Sequence, residues 1–344
     1  MFTQQMRVLI GLGIALIVVA AMAWLAVMGG GRHSHPGRAS EALIPLRFGI
    51  QDNVFSALPL IADQMGYFRE QGLAVETVLY ASGKLAFQAM FDGEIDVATV
   101  ADTPIVTASF ERDDFAVFAT IAWSDRGAWI IARRDRGIAA PGDLRGKTVA
   151  TQRDSAVHFF LSAFLARHGI AEREVDLHFM PATELPEALA AGTIDAFSMR
   201  NPFVAMAKAA IGELAVEFYD HDIYRQTFNL VAWRSALAAD AAIWERLLRA
   251  LARAEAMVIR DSLAARQAVA ARLGADRAGE IADDWDSYTF TLTLDQSIFV
   301  TLEDQAHWFL LRDPDGNPRI PNYGRFVETG PLRSVNPTAV KVIR

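Results

Sequence analysis

A short segment of this sequence occurs twice, and its surroundings repeat with it. Residues 93–97 read GEIDV and residues 192–196 read GTIDA. Upstream of each copy lies an apolar strand that ends in Gln and Asp, over residues 47–52 in one copy and 148–154 in the other. In both copies a helix, a second strand, a second helix and a third strand follow. A repeat of this length predicts two α/β lobes, each built on a βαβαβ unit.

The order of the predicted elements divides the chain into an N-terminal segment and two lobes. Residues 1–43 form the segment and a short polar linker. Residues 44–133 and 230–344 form lobe I, because a late strand returns the chain to it and the helices that follow pack against it. Residues 134–229 form lobe II. The chain therefore crosses between the lobes twice, which predicts a hinge.

Local signals within the two copies also correspond. Helices are expected over residues 58–71 and 159–167, each closed by a glycine in the left-handed conformation, Gly72 and Gly169. Asp96 and Asp195 follow helix-ending glycines and precede the third strand of each unit. They are predicted to be structural, because they sit at the opposite end of the sheet from an expected ligand site.

The N-terminus carries an uncharged apolar run over residues 8–31, flanked by Arg7 and Arg32. A membrane-spanning helix needs about 20 apolar residues, whereas the apolar core of a signal peptide has roughly 7–15. The length favours an uncleaved membrane anchor. The small residues at 21–23 leave open a cleaved signal peptide instead. In both cases the rest of the chain is exported.

Composition excludes several classes of function. The chain has 344 residues, a net charge of −8 and no cysteine. The acidic balance and the lack of a basic stripe argue against nucleic acid as a partner. Without cysteine the chain has no disulfide, no thiolate metal ligand and no lipid-modified cysteine to tether it.

Ligands of open α/β sheets bind beyond the carboxyl ends of the strands, where helix N-termini present free N–H groups. This rule selects loops from both lobes that are expected to face one cleft. The ligand-binding candidates are Gln51, Asn53, Phe55, Ser82, Gly83, Asp102, Thr103, Gln152, Ser155 and Asn201.

Several of these candidates have a second, purely structural interpretation. Ser82 and Gly83 either bind an oxyanion at the head of a helix or only cap that helix. Asp102 either holds a ligand amine or caps the next helix. Phe55, like Trp123 and other aromatic residues near strand ends, either lines the cleft or belongs to the core.

No catalytic or metal-binding set is found in the sequence. Residues 142–148 resemble a phosphate-binding loop, but the glycines are one residue too close and the motif precedes a strand. The histidines lack ligand spacing, and no nucleophile elbow occurs. Asp283, Asp284 and Asp286 are expected to form a solvated helix face. We therefore expect no enzyme, no cofactor and no metal.

The chain resembles the solute-binding subunits of bacterial ABC importers of the nitrate, sulfonate and taurine type, a branch of the type II periplasmic binding proteins. The resemblance covers most of residues 46–330. The matching stretches are residues 62–73, 91–104, 122–127, 146–155, 190–196 and 285–308. A related branch that makes the thiamine pyrimidine uses a cysteine-rich iron motif, which this chain lacks.

The resemblance implies a two-lobed α/β fold, each lobe a mixed sheet flanked by helices, that closes on a small anionic or zwitterionic solute. It also implies a membrane permease and its ATPase as partners, and a location in the periplasm. A membrane anchor over residues 8–31 departs from the family, whose members are usually released or lipid-anchored. A tethered ligand sensor that uses the same cleft is the alternative function.

Overall fold

A computed structural model describes residues 42–220, 223–312 and 319–343. The predicted anchor at residues 8–31 lies outside these ranges. Within them, no helix is both long and apolar enough to span a bilayer. The strands are β1 (Ile44–Gln51), β2 (Leu73–Tyr80), β3 (Val97–Ala101), β4 (Phe115–Ser124), β5 (Trp129–Arg133), β6 (Thr148–Thr151), β7 (Asp176–Phe179), β8 (Ala196–Met199), β9 (Ala215–Phe218), β10 (Gln226–Trp233) and β11 (Thr289–Thr293).

Helices flank both sheets. They are α1 (Ala57–Gln64), α2 (Tyr67–Glu70), α3 (Gly83–Phe91), α4 (Asp102–Ser109), α5 (Ala156–Arg167), α6 (Leu185–Ala191), α7 (Phe203–Ile211), α8 (Arg234–Ala239), α9 (Ala241–Arg260), α10 (Ser262–Leu273), α11 (Ala278–Trp285), α12 (Ser297–Arg312) and α13 (Gly330–Val335).

The strands form two sheets, each with its own hydrophobic core. The six-stranded sheet of lobe I has the order β11-β4-β10-β3-β1-β2. The five-stranded sheet of lobe II has the order β7-β6-β8-β5-β9. Its central strand β8 is buried along its whole length, as β3 nearly is in lobe I, which is typical of parallel strands covered by helices on both faces. The predicted two-sheet α/β architecture is confirmed.

The lobes exchange one strand each. The duplicated units give the parallel sets β2-β1-β3 and β7-β6-β8. Next to β3 lies the antiparallel strand β10, which arrives from lobe II, and next to β8 lies β5, which arrives from lobe I. The sequence-based boundary at 133/134 therefore differs from the structure, because β5 pairs within lobe II. The crossings run from Ser124 to Trp129 and from Phe218 to Gln226.

The predicted helix over residues 58–71 is two helices, α1 and α2. Gly66 breaks it with φ +71°, a conformation that only glycine adopts without strain. The predicted glycine closures are confirmed, since Gly72 and Gly169 have φ +78° and +69°. Further along the chain, α12 leaves lobe I and packs Trp308 into the core of lobe II.

The repeated aspartates perform one structural task in both copies. Asp96 accepts the backbone N–H of Arg47 in β1 at 2.8 Å. Asp195 accepts the backbone N–H of Thr148 in β6 at 3.0 Å. Each carboxylate thus fixes the start of the third strand to the first strand of its unit. The prediction that these residues are structural agrees with this geometry.

We expect Asp96→Ala and Asp195→Ala each to lower the free energy of unfolding by about 1 kcal/mol. Each substitution removes a hydrogen bond to a charged acceptor, and its contribution is small because solvent screens the partly exposed carboxylate. Although partial burial raises the pKa of Asp96, its hydrogen bonds with Arg47 lower it overall. The ionised carboxylate therefore stabilises the fold above about pH 4, and this contribution is lost as the pH falls further. Urea denaturation at pH 7 and pH 3 measures both effects.

Exposed Glu94, two residues before Asp96 in the sequence, provides the matched control. Glu94→Ala should leave the free energy of unfolding within about 0.5 kcal/mol of the original value. An Asp96→Ala variant as stable as Glu94→Ala at pH 7 would contradict the structural role.

Candidate ligand-binding cleft

A cavity of about 190 Å³ lies between the carboxyl ends of the strands of the two lobes. Seven of the ten residues predicted from the sequence line it, and they come from both lobes. These seven are Gln51, Phe55, Ser82, Gly83, Thr103, Gln152 and Ser155. Gln51 and Gln152 follow equivalent strands of the two units, so the repeat places one amide side chain on each side of the cleft.

The head of α3 forms one wall of the cleft. Ser82 caps this helix by accepting the N–H of Leu85 at 3.2 Å, and its carbonyl accepts the N–H of Ala86. Gly83 and Lys84 precede these donors, so their N–H groups have no acceptor within the helix. Ser82 can therefore cap the helix while the N–H groups of Gly83 and Lys84 are left to bind an oxyanion.

Gly83 is required for a reason other than ligand access. A Cβ atom at this position would lie 2.9 Å from Oε1 of Gln51 and 3.2 Å from the carbonyl oxygen of Thr99. The absence of a side chain lets α3 approach β3 closely. This approach brings the helix head and Gln51 to the same point of the cleft.

The head of α5 and the turn before it form the wall contributed by lobe II. Ser155 caps α5, and its hydroxyl donates to the carbonyl of Gln152 at 2.6 Å. Asp154 lies in this turn with φ +51°. The turn also carries Arg153, and the first helical residue, Ala156, completes the wall.

The floor of the cleft is aromatic. Phe55 and Phe228 stack with their ring centroids 3.8 Å apart, and Tyr288 lies 5.9 Å from both. Burial raises the pKa of the Tyr288 hydroxyl far above its ordinary value, so this side chain is uncharged. This surface suits the apolar part of a small organic ligand better than a bare inorganic ion.

Arg200 contributes a positive charge that the sequence analysis missed. It directly follows β8 and is half-buried in the cleft. Among the described residues no carboxylate pairs with its guanidinium group. Burial lowers the pKa of Arg200, although a guanidinium remains charged at neutral pH. The rule of strand carboxyl ends points to this loop, but the residue predicted from it is the neighbour Asn201.

The charge of the cleft is opposite to that of the chain. Lys84, Arg153 and Arg200 are the cationic side chains among the described lining residues, against the single carboxylate of Asp154. The whole chain has a net charge of −8. The cleft is therefore a local positive site, which favours a negatively charged ligand. Gln226 of the second crossing also lines it and was not predicted.

Asp102 was predicted as a ligand contact, but the structure places it behind the cleft wall. It is fully buried, and one carboxylate oxygen accepts the hydroxyl of Tyr224 at 2.5 Å and the N–H of Thr103 at 2.8 Å. The other oxygen accepts the N–H of Thr227 at 2.9 Å. Burial raises the pKa of Asp102 against these hydrogen bonds. Its role here is to tie α4 to the second crossing.

Asn53 and Asn201 also lie outside the cleft lining. Oδ1 of Asn53 is buried and has no hydrogen-bond partner within the part of the chain that the structure describes. Asn201 donates to Asp284 of α11 at 3.2 Å and accepts the N–H of Ala205, which joins lobe II to a helix of lobe I. The expectation that the acidic cluster is solvated is therefore wrong for Asp284, which is buried. Trp123 lies outside the cleft beneath the guanidinium of Arg225.

Comparison with known proteins identifies the family of this chain. A family model described as NMT1/THI5 like matches residues 55–264, more than half of the chain. The chain belongs to the NMT1/THI5-like family. The resemblance seen in the sequence is confirmed at this level.

Some relatives of the chain are named for a solute. A Bacillus subtilis (strain 168) protein named for aliphatic sulfonate binding is 25% identical over 221 residues, 63% of this chain and 65% of the relative. The taurine-binding periplasmic protein of Escherichia coli (strain K12) is 23% identical over 138 residues, 40% of this chain and 42% of that protein. The chain thus spans just under two thirds of the first relative.

Solved structures share the fold at low sequence identity. The periplasmic aliphatic sulphonate binding protein SsuA of Escherichia coli superposes with a TM-score of 0.70 at 19% identity, covering 83% of this chain and 92% of SsuA. The periplasmic nitrate-binding protein NrtA of Synechocystis PCC 6803 gives 0.60 at 14% identity, covering 86% and 89%. The two-lobed periplasmic binding protein fold is therefore shared with both.

We expect Asp102→Asn to lower the free energy of unfolding by about 2 kcal/mol. An amide has one accepting oxygen, so one buried N–H or hydroxyl donor loses its acceptor and meets an NH₂ group. Tyr224→Phe removes one donor to Asp102 and the acceptor of Gln305 Nε2 but leaves the Asp102 carboxylate intact, and it should cost about 1 kcal/mol. Urea denaturation of both variants tests this order, and an Asp102→Asn variant as stable as the original chain would overturn the assignment.

Proposed function

We propose that this chain is the solute-binding component of an ABC importer and captures a small organic oxyanion, with sulfonates the favoured class. The observation that carries the proposal is the guanidinium of Arg200, which pairs with no carboxylate of the described residues, in a cleft shared by both lobes. The heads of α3 and α5 add N–H groups from each lobe, and helix N-termini attract anions. The relatives that bind sulfonates and taurine support the same class.

The aromatic floor favours an organic anion over an inorganic one. A sulfonate can place its oxygens against Arg200 and the helix heads while its carbon atoms contact Phe55 and Tyr288. Nitrate has no apolar part to bury there. Burial of apolar surface contributes roughly 25 cal/mol per Å², so even a two-carbon chain adds measurable affinity.

Solute capture is a population shift between open and closed arrangements of the lobes. Contacts that the ligand makes with both lobes at once exist only in the closed form, and they favour that form by their free energy. The two crossings are the natural hinge, because the remaining connections within each lobe are sheets and packed helices. We propose that the closed form is what a membrane permease and its ATPase recognise.

Isothermal titration of the full-length chain tests the ligand class. We expect ethanesulfonate and taurine to release heat and to bind more tightly than nitrate or bicarbonate. Only the two sulfonates have a carbon chain that can be buried against the aromatic floor. An aminopyrimidine serves as the neutral comparison. If no anion gives heat and the pyrimidine does, the proposed ligand class fails while the fold assignment stands.

Delivery to a permease needs a separate test, because a ligand sensor would use the same cleft. The ligand-loaded chain is added to vesicles that contain the candidate permease and its ATPase. An importer component should increase ATP hydrolysis, and the effect should disappear without ligand. An unchanged hydrolysis rate with a functional transporter would favour the sensor. In both cases we propose the periplasm as the location, with residues 8–31 as the membrane attachment.

We expect Arg200→Met to weaken ethanesulfonate binding at least about tenfold, since a hydrogen bond to a charged group is worth about 1.5–3 kcal/mol. Arg200→Lys should retain part of the affinity because it keeps the charge but loses the planar fork. Exposed Arg69 of α2 provides the control, and Arg69→Met should leave the affinity unchanged. Equal affinities for Arg200→Met and Arg69→Met, measured by titration calorimetry, would remove Arg200 from the site.

A further inference from the structure

His158 is a buried polar residue beside the cleft that does not itself line it. It occupies the first turn of α5 and is fully shielded from solvent. Its Nδ1 lies 3.2 Å from the backbone N of Asp154, and its Nε2 lies 3.1 Å from Oε1 of Glu172. A backbone N–H can only donate, so Nδ1 is the acceptor. The hydrogen of the neutral ring is therefore on Nε2, which donates to Glu172.

Glu172 joins His158 to helix α12. The same Oε1 accepts a hydrogen bond from Nη1 of Arg312, the last residue of α12, at 2.5 Å. Its Oε2 accepts the hydroxyl of Ser162 at 3.0 Å. Burial raises the pKa of Glu172, but the hydrogen bonds with His158 and Arg312 prevail and lower it to about 2. The carboxylate is therefore ionised at any physiological pH.

Arg312 and His158 approach each other without bonding. Nη1 of Arg312 lies 2.8 Å from Nε2 of His158, and both nitrogens carry hydrogen, so both donate to the one oxygen of Glu172. The imidazole ring also packs edge-on against Trp308 of α12 and against Phe179 of β7, each with centroids 4.9 Å apart. The ring is thus held between a helix from lobe I and the body of lobe II.

The hydrogen bond at Nδ1 acts on an unusual backbone position. Among residues 42–220, 223–312 and 319–343, Asp154 is the only non-glycine residue with positive φ, +51°. The left-handed conformation carries a steric cost for a residue with a side chain. The contact with His158 offsets this cost. The turn that it stabilises carries Gln152, Arg153 and Ser155, which line the cleft.

We propose that His158 is a positioning residue for ligand binding: its Nδ1 holds the left-handed turn at Asp154, and Glu172 with Arg312 holds His158. The proposal rests on the proposed function, because it assumes that the cleft binds a ligand. In this arrangement α12 of lobe I sets the shape of the lobe II wall. Arg312 influences the ligand only through His158.

Two substitutions separate the roles of the two ring nitrogens. His158→Asn keeps an acceptor oxygen near the position of Nδ1, whereas His158→Gln places its polar atoms near Nε2 and leaves the Asp154 N–H without an acceptor. Titration of the full-length chains with ethanesulfonate should give affinity within about threefold of the original for His158→Asn. The affinity should fall about tenfold or more for His158→Gln. Far-ultraviolet circular dichroism and the unfolding midpoint verify that both variants are folded.

A merely structural role would weaken both variants equally, and equal losses would overturn the proposal, as would unchanged affinity in His158→Gln. Arg312→Gln supplies a second comparison. It should weaken binding in the original chain by no more than about threefold, as the loss of the Nε2 link does in His158→Asn, and it should have no further effect in His158→Asn. An equal effect of Arg312→Gln in both backgrounds would show that Arg312 acts independently of His158.

A measurement that needs no ligand separates the positioning role of His158 from the proposed solute-binding function. Amide hydrogen exchange of residues 150–158, followed by mass spectrometry of the full-length chain, reports the hydrogen bond of the Asp154 N–H directly. We expect protection in the original chain and in His158→Asn, and at least about tenfold faster exchange in His158→Gln. If this pattern appears but no oxyanion binds, the turn is positioned by His158 and only the proposed function fails. Equal exchange in all three chains would refute the positioning role.

Discussion

The exchange of β5 and β10 between the lobes is the constraint on which the rest of the structure depends. Each sheet is completed by a strand that the other half of the chain delivers, so the lobes cannot fold as fully separate units. Both crossings also run between the edges of the two sheets at which the parallel strands end. As a result, the carboxyl ends of both sets of parallel strands face one cleft, and helix heads from both lobes meet there.

The electrostatics of the cleft follow from this geometry. An acidic chain presents a local positive site because Arg200, Lys84 and Arg153 gather at the strand ends, where helix N–H groups already favour anions. Arg200 is costly to bury without a carboxylate partner, and a bound oxyanion would offset that cost. The same residues are dispersed in the sequence, over more than a hundred positions.

Polar residues behind the cleft wall connect the ligand-facing turns to distant helices. Asp102 ties α4 to the second crossing through Tyr224, which in turn accepts a hydrogen bond from Gln305 of α12. His158 and Arg312 form a comparable link between α12 and the lobe II turn. Helix α12 is therefore linked by hydrogen bonds to the residues that support both sides of the cleft. Asp102 and His158 resemble ligand contacts in the sequence, because each lies within one or two positions of a residue that lines the cleft.

The sequence alone determined the duplicated α/β units, the succession of strands and helices along each unit and seven of the cleft residues, because these depend on local periodicity and on the rule of strand carboxyl ends. It also indicated the structural role of Asp96 and Asp195. Only the tertiary structure decided that β5 belongs to lobe II, that Asp102 faces inward and that Arg200 faces the cleft. Neighbouring residues at a strand end point in different directions, and the packing of distant segments selects which one meets the ligand.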